Sequence, residues 1–331
     1  MPKIGEEERR LVEARMAMQE VAALTNKAVE TTQFRDKVLA RSRIGRLRHG
    51  DADGWRKDRS VRRRVDARLD AAVARLRDAN LNINFKAQEF FGDTKWGDKY
   101  TTKFETMRPT GAPMGDTRND VEMKMFRYAE KLGIKRKKAS KGEICAYRRI
   151  ERYADLTSDD FRGLVRPRYC SVNYPDLIDG MGAQWGRSHF VLADWLKPNM
   201  TFIHTDSFDD VSSARDVMAK CANDGAHVQG TKMATYHAMR RLVANMSDPM
   251  LSLLIDVVDG KFTKGQTCAA AKTAYRLGST SYVEGHVHAE MPFASAFRKV
   301  RICKAEADAE KSVRKNVRKF LDKFDVEVEF F

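Results

Sequence analysis

Apolar residues recur at helical spacing early in the chain. Leu11, Ala14, Met18, Val21 and Ala22 form one set, and Val61, Val65, Leu69, Val73 and Leu76 another. Steps of three and four place each set on one stripe of a helix, so residues 5–80 are expected to be helical. Gly50, Asp51, Asp53 and Gly54 mark a turn between the two stretches. Residues 92–120 are rich in Gly, Pro, Thr and Asp without a sustained period, which reads as a long connection. Short helices are expected over 121–132 and 143–152. Past Leu156 the texture changes: 161–174 and 188–192 are extended runs separated by Gly, Pro and Asp. Helices return at 232–245 and 249–258, the second opened by Ser247, Asp248 and Pro249, which suit a cap and a first turn. A strand over 279–291, a charged helix over 305–324 and a last strand over 325–331 complete the pattern. The expected fold is α+β, with a mainly helical region over 1–155 and a mixed β core with helices over 156–331.

Composition bounds the function. A chain of 331 residues can bury a proper core, and 42% hydrophobic with 32% charged residues is ordinary for a globular protein. No apolar run approaches the roughly 20 residues that a bilayer span needs, so no membrane span is expected. The opening MPKIGEEERR lacks an apolar stretch of the kind a Sec signal carries. A secretion route that reads an unstructured N-terminus leaves no such mark. The formal net charge of +15 favours polyanionic partners, nucleic acid among them. Arg56, Lys57, Arg59, Arg62, Arg63, Arg64 and Arg68 wrap much of one expected helix, as a solvated face or a binding surface. The run IKRKKASKGE over 134–143 is a second basic patch. Five well-separated cysteines without a C-x-x-C pair form neither a disulfide framework nor a zinc finger. They read as buried small hydrophobes in a reducing compartment.

Chemistry concentrates in SYVEGHVHAE. Alternation along a strand puts Tyr282, Glu284, His286, His288 and Glu290 on one face, and Val283, Gly285, Val287 and Ala289 on the other. Two chemistries can use such a row. Glu284, His286 and His288 offer one oxygen and two imidazoles to a divalent metal, as in a metal-dependent hydrolase. Alternatively, Glu284 is a lone carboxylate that stabilises oxocarbenium character while a glycosidic bond breaks.

Three segments, in order, resemble the Arg–Ser–Glu class of mono-ADP-ribosyltransferases, particularly bacterial members of toxin or effector type. VRPRYCSVNY is similar to that family's first core strand, QWGRSHFVL to its serine-bearing strand, and TSYVEGHVH to the strand carrying its glutamate. The resemblance implies an ADP-ribosyltransferase-like catalytic domain over 156–331, with 1–155 as a basic accessory or target-binding region. It implies NAD⁺ as co-substrate, with Glu284 as catalytic carboxylate. Arg166 or Arg168 would hold the pyrophosphate, as a guanidinium fork matches phosphate oxygens. Tyr169 is the accompanying aromatic. Ser188 would orient the nicotinamide ribose or the glutamate. His189, with Thr201, Phe202 and Asp206 downstream, would complete the pocket, and Tyr282 would stack on nicotinamide.

One position departs from the family. Arginine-modifying members place Glu or Gln two residues before the catalytic glutamate, where this chain has Tyr282. The departure points to a hydroxyl or other non-arginine acceptor, with His286 as a base. The effector resemblance further implies secretion by a bacterium into host cytoplasm and a host protein as substrate. One group of such effectors modifies ubiquitin on threonine. A basic nucleic-acid-binding protein without catalysis stands as the alternative.

Overall fold

The computed structural model describes residues 34, 36–50, 54–102, 167–207 and 233–331. In these the chain is mixed helix and sheet. Eight strands form one sheet in the order β5–β4–β6–β2–β1–β3–β7–β8. They are β1 (Asn80–Phe85), β2 (Arg168–Asn173), β3 (Ser188–Leu192), β4 (Met200–Ile203), β5 (Ala234–Thr235), β6 (Glu284–Val287), β7 (Phe297–Ile302) and β8 (Glu327–Phe330). Every pairing is antiparallel except β7 with β8.

Helix α1 over 36–49 ends at Gly50, whose φ of 73° is the left-handed conformation that glycine adopts freely. Helix α2 (Arg59–Asp78) is capped by Asp58, whose side chain accepts from the amides of Ser60 and Val61, and it buries Val65, Leu69, Ala72, Val73 and Leu76. Then come α3 (Ala87–Phe91), α4 (Arg240–Asn245), α5 (Asp248–Val258), α6 (Cys268–Tyr275), α7 (Lys304–Asp308) and α8 (Lys311–Phe324). Ser247 caps α5, with Pro249 in its first turn, as its sequence expects. Arg68 reaches across to Asp259 at 2.9 Å, and Arg48 pairs with Asp256, tying α1 and α2 to α5.

Residues opposite one another in a ladder point to the same side of a sheet. One face here is apolar: Leu81, Ile83 and Phe85; Cys170 and Val172; Phe190 and Leu192; Val300 and Ile302. Helices α3 and α8 pack there through rings. Phe90 lies 5.0 Å from Phe190, and Phe320 lies 5.0 Å from Phe293. These edge-to-face contacts add to simple area burial. The other face is polar, yet much of it is buried. Asn82, Ser171, Asn173, His189, Thr201, Thr235, Glu284 and His286 are all enclosed. Part of the cover is segment 174–186. The Asn84 amide donates to Asp179 and Gly186 carbonyls at 2.8 and 2.9 Å, and Asn173 exchanges hydrogen bonds with the backbone of Leu177.

Several expectations meet a different outcome. The segment NLNINF, inside the region expected to be mainly helical, is β1, and it pairs with β2 on one side and β3 on the other. The described residues 54–102 therefore share one sheet and one core with 167–207 and 233–331, so they do not form a separate helical unit. The boundary expected near residues 150–160 lies outside the described residues, as do the helices over 121–132 and 143–152 and the basic run over 134–143. The helix expected over 232–245 opens instead as β5 and a 3₁₀ turn, because Thr235 and Ala234 are drawn into pairing with Thr201 and Phe202. Strands β4 and β7 and helix α6 are further elements that the hydrophobic pattern left unassigned. The charged helix over 305–324 splits into α7 and α8. Cys170, Cys268 and Cys303 are buried free thiols, in line with their reading as small hydrophobes.

Candidate active site

Strand β6 lies between β2 and β4, with Glu284 opposite Ser171 and Ile203, and His286 opposite Tyr169 and Thr201. The alternation read from the sequence holds: Glu284 and His286 face the polar side. Gly285 faces the apolar side, where an added Cβ would lie 2.7 Å from Cys170 Sγ and 2.8 Å from Met200 Cε. Glycine there lets β6 sit close against large neighbours, and this fixes which way Glu284 turns.

A continuous set of contacts runs through the buried polar groups. His286 Nε2 lies 2.9 Å from Glu284 Oε1. Thr201 Oγ1 lies 3.1 Å from His286 Nδ1 and 2.8 Å from His288 Nε2. On the other side Tyr282 donates to Asp206 at 2.7 Å and stands 3.4 Å from Glu284 Oε2. Tyr169 presents its ring edge-on to His286 at 5.5 Å. Glu284 is 2% exposed and His286 fully buried. A carboxylate so enclosed needs hydrogen-bond partners, and the His286 ring is in reach of it. Its field is felt nearby: burial pushes the Cys170 thiol far up, and Glu284 adds to the shift. Burial, then Glu284 and Asp206, holds the Tyr282 hydroxyl well above the usual tyrosine range. Tyr282 thus remains a proton donor between two carboxylates.

Other residues named from the sequence are elsewhere. Ser188 lies opposite Phe85, on the apolar side of the sheet and three strands from β6, about 14 Å across the ladder. Its Oγ donates to Glu306 at 2.7 Å and accepts from the Cys303 amide at 3.0 Å. Glu306 also accepts from the amides of Ala87, Arg187 and Ser188. Ser188 thus belongs to a structural carboxylate cradle, and the geometry does not place it beside Glu284. Arg168 is opposite Val287, on the far face from Glu284, and donates to the Ala289 carbonyl at 3.0 Å. Arg166 lies outside the described residues. His189 shares the polar face but stands on β3, its Nδ1 3.2 Å from the Arg187 carbonyl, with burial lowering its pKa to about 4.

Thr201's hydroxyl stands between His286 and His288, and those imidazoles do not converge with Glu284 on a common point. Among the described residues no group of three or more His, Cys, Asp or Glu could hold a metal ion. No helix there is long and apolar enough to cross a membrane.

Sequence reasoning passed over the asparagines. Asn80, Asn82 and Asn84 alternate along β1, and Ser171 and Asn173 along β2, all on the face of Glu284. Asn82 is 1% exposed, and neither atom of its amide has a hydrogen-bond partner. The signal was the period-two alternation of NLNINF and CSVN. Against this geometry no protein-family model matches the chain, and no curated protein does.

Proposed function

We propose that Glu284 is the catalytic carboxylate of an NAD⁺-dependent mono-ADP-ribosyltransferase that modifies a protein on a hydroxyl or other non-arginine acceptor. The observation that carries the reading is the 2.9 Å contact of Glu284 with His286 inside a chain of buried polar groups. Cleaving the nicotinamide–ribose bond develops positive charge at the anomeric carbon, and a fixed carboxylate against the ribose stabilises it. His286, 2.9 Å away, holds that carboxylate in place. A hydroxyl acceptor must shed a proton during transfer, and imidazole is the side chain suited to that near neutral pH.

The reading departs from the Arg–Ser–Glu arrangement. It rests on Glu284, His286, Tyr169 and Tyr282, which share one side of the sheet, and assigns no catalytic part to Ser188 or Arg168. NAD⁺ would have to displace what encloses Glu284 in order to reach it. By the same reading the protein is a secreted bacterial effector acting in host cytoplasm, with ubiquitin one candidate substrate. Labelled NAD⁺ supplied with host lysate, and separately with purified ubiquitin, tests it. Wild type is expected to transfer label, and Glu284→Gln to lose at least about 100-fold of that rate while remaining folded. Equal labelling by the two proteins overturns the assignment.

A second reading, nucleic-acid binding, has its own observation: Arg59, Arg62, Arg63 and Arg64 lie exposed along α2. It predicts duplex binding that weakens steeply with salt. Binding that is unchanged between low and physiological salt removes it.

A further inference from the structure

With an ionised Glu284 and a neutral His286, the direction of the hydrogen bonds around Thr201 follows from donors and acceptors. A threonine hydroxyl has one proton to give, while its oxygen can also accept. Here it meets two imidazole nitrogens, Nδ1 of His286 at 3.1 Å and Nε2 of His288 at 2.8 Å. Glu284 decides which receives the proton. An ionised carboxylate only accepts, so His286 Nε2, 2.9 Å from Oε1, must carry a hydrogen. A neutral His286 then has a bare Nδ1, and Thr201 donates to it. What remains for Thr201 at His288 is to accept, which requires a hydrogen on His288 Nε2.

We propose that Thr201 is a positioning residue that locks both His286 and His288 as Nε2–H tautomers. It thereby joins His288 to buried Glu284 through a one-way chain of hydrogen bonds. Each donor points toward Glu284: His288 to Thr201, Thr201 to His286, His286 to the carboxylate. A proton received by His288 moves to Glu284 by three short transfers, and the chain must reverse before it can carry another. Thr201 faces this site because it pairs with His286 across the β4–β6 ladder, and it is itself 2% exposed. The tautomer lock stands on geometry; its value for turnover rests on the reaction proposed above.

Imidazole ¹⁵N–¹H correlation spectra of the full chain, at a pH of about 8 where an ordinary histidine is neutral, test the lock directly. Wild type is expected to show both His286 and His288 as Nε2–H. Thr201→Val is expected to release His288 into a mixture of tautomers, and Thr201→Ser to restore the wild-type pattern. A wild-type His288 with a bare Nε2, or a Thr201→Val spectrum identical to wild type, overturns the proposal. In the labelling assay Thr201→Val is expected to lower kcat about tenfold or more with KM unchanged, and Thr201→Ser to recover it. If wild type transfers no label while the tautomers are as stated, the reaction assignment fails and the lock stands.

Discussion

Ser188→Ala separates a catalytic serine from a structural one. The Oγ makes two hydrogen bonds, a 2.7 Å donation to the Glu306 carboxylate and a 3.0 Å acceptance from the Cys303 amide. A bond to a charged group contributes about 1.5–3 kcal/mol, and a buried N–H stripped of its acceptor costs about 1–3 kcal/mol. Both losses pass through one atom and Glu306 keeps three amide donors, so they combine less than additively. The expected loss is about 2–4 kcal/mol, a large share of the 5–15 kcal/mol typical of a folded protein. Urea denaturation followed by tryptophan fluorescence should show the midpoint falling by about 1 M or more with an unchanged slope. Below the transition, NAD⁺-dependent labelling per folded molecule should match wild type. An unchanged midpoint together with labelling as low as that of Glu284→Gln would refute this reasoning and return Ser188 to the active site.

Two further outcomes follow from buried polar groups. His189, with its pKa lowered by burial to about 4, is neutral in the folded protein where the unfolded chain already takes a proton. Its contribution is full above about pH 6.5 and is lost as pH falls toward 4, by up to about 3 kcal/mol. His189→Asn should therefore flatten the fall in melting temperature over that window, and an identical fall in the variant refutes the assignment. Asn82→Leu replaces an amide whose two polar atoms have no partner with a side chain of similar size. Denaturation should show it more stable by about 1–2 kcal/mol; a loss of about 2 kcal/mol or more would mean that a bound molecule serves the amide.

How far the sequence could be read depended on how much of each signal was local. Helices α2 and α5 carried their stripes and caps within a single window, and β3 was marked by its flanking glycines and aspartates. Strand β1 escaped because asparagine is a poor strand former in isolation. Its polar row becomes useful only when β2 and β3 close on either side, a contact between distant parts of the chain. The site divides in the same way. Alternation within β6 sufficed to group Glu284 with His286, whereas the roles of Thr201 and Asp206 depend on how β4 and the residues after it lie beside β6. Ser188 was misplaced because a motif gives spacing along the chain but not the parity of a strand. A shift of one residue in register exchanges the two faces.

The central place of β1 has a consequence for how the protein is made. On a ribosome Phe85 emerges well before Arg168, and at about 5–20 residues per second the wait is on the order of 10 s. Through that time β1 has neither neighbour, and closing so long a loop must precede the pairing that rewards it. A fragment beginning at residue 156 would fare worse. Without β1 the sheet parts into a β5–β4–β6–β2 half and a β3–β7–β8 half. The facing sides of β2 and β3 then become raw hydrogen-bonding edges, the surfaces through which chains aggregate. Assays of the reaction proposed for Glu284 therefore call for a chain that includes residues 80–85.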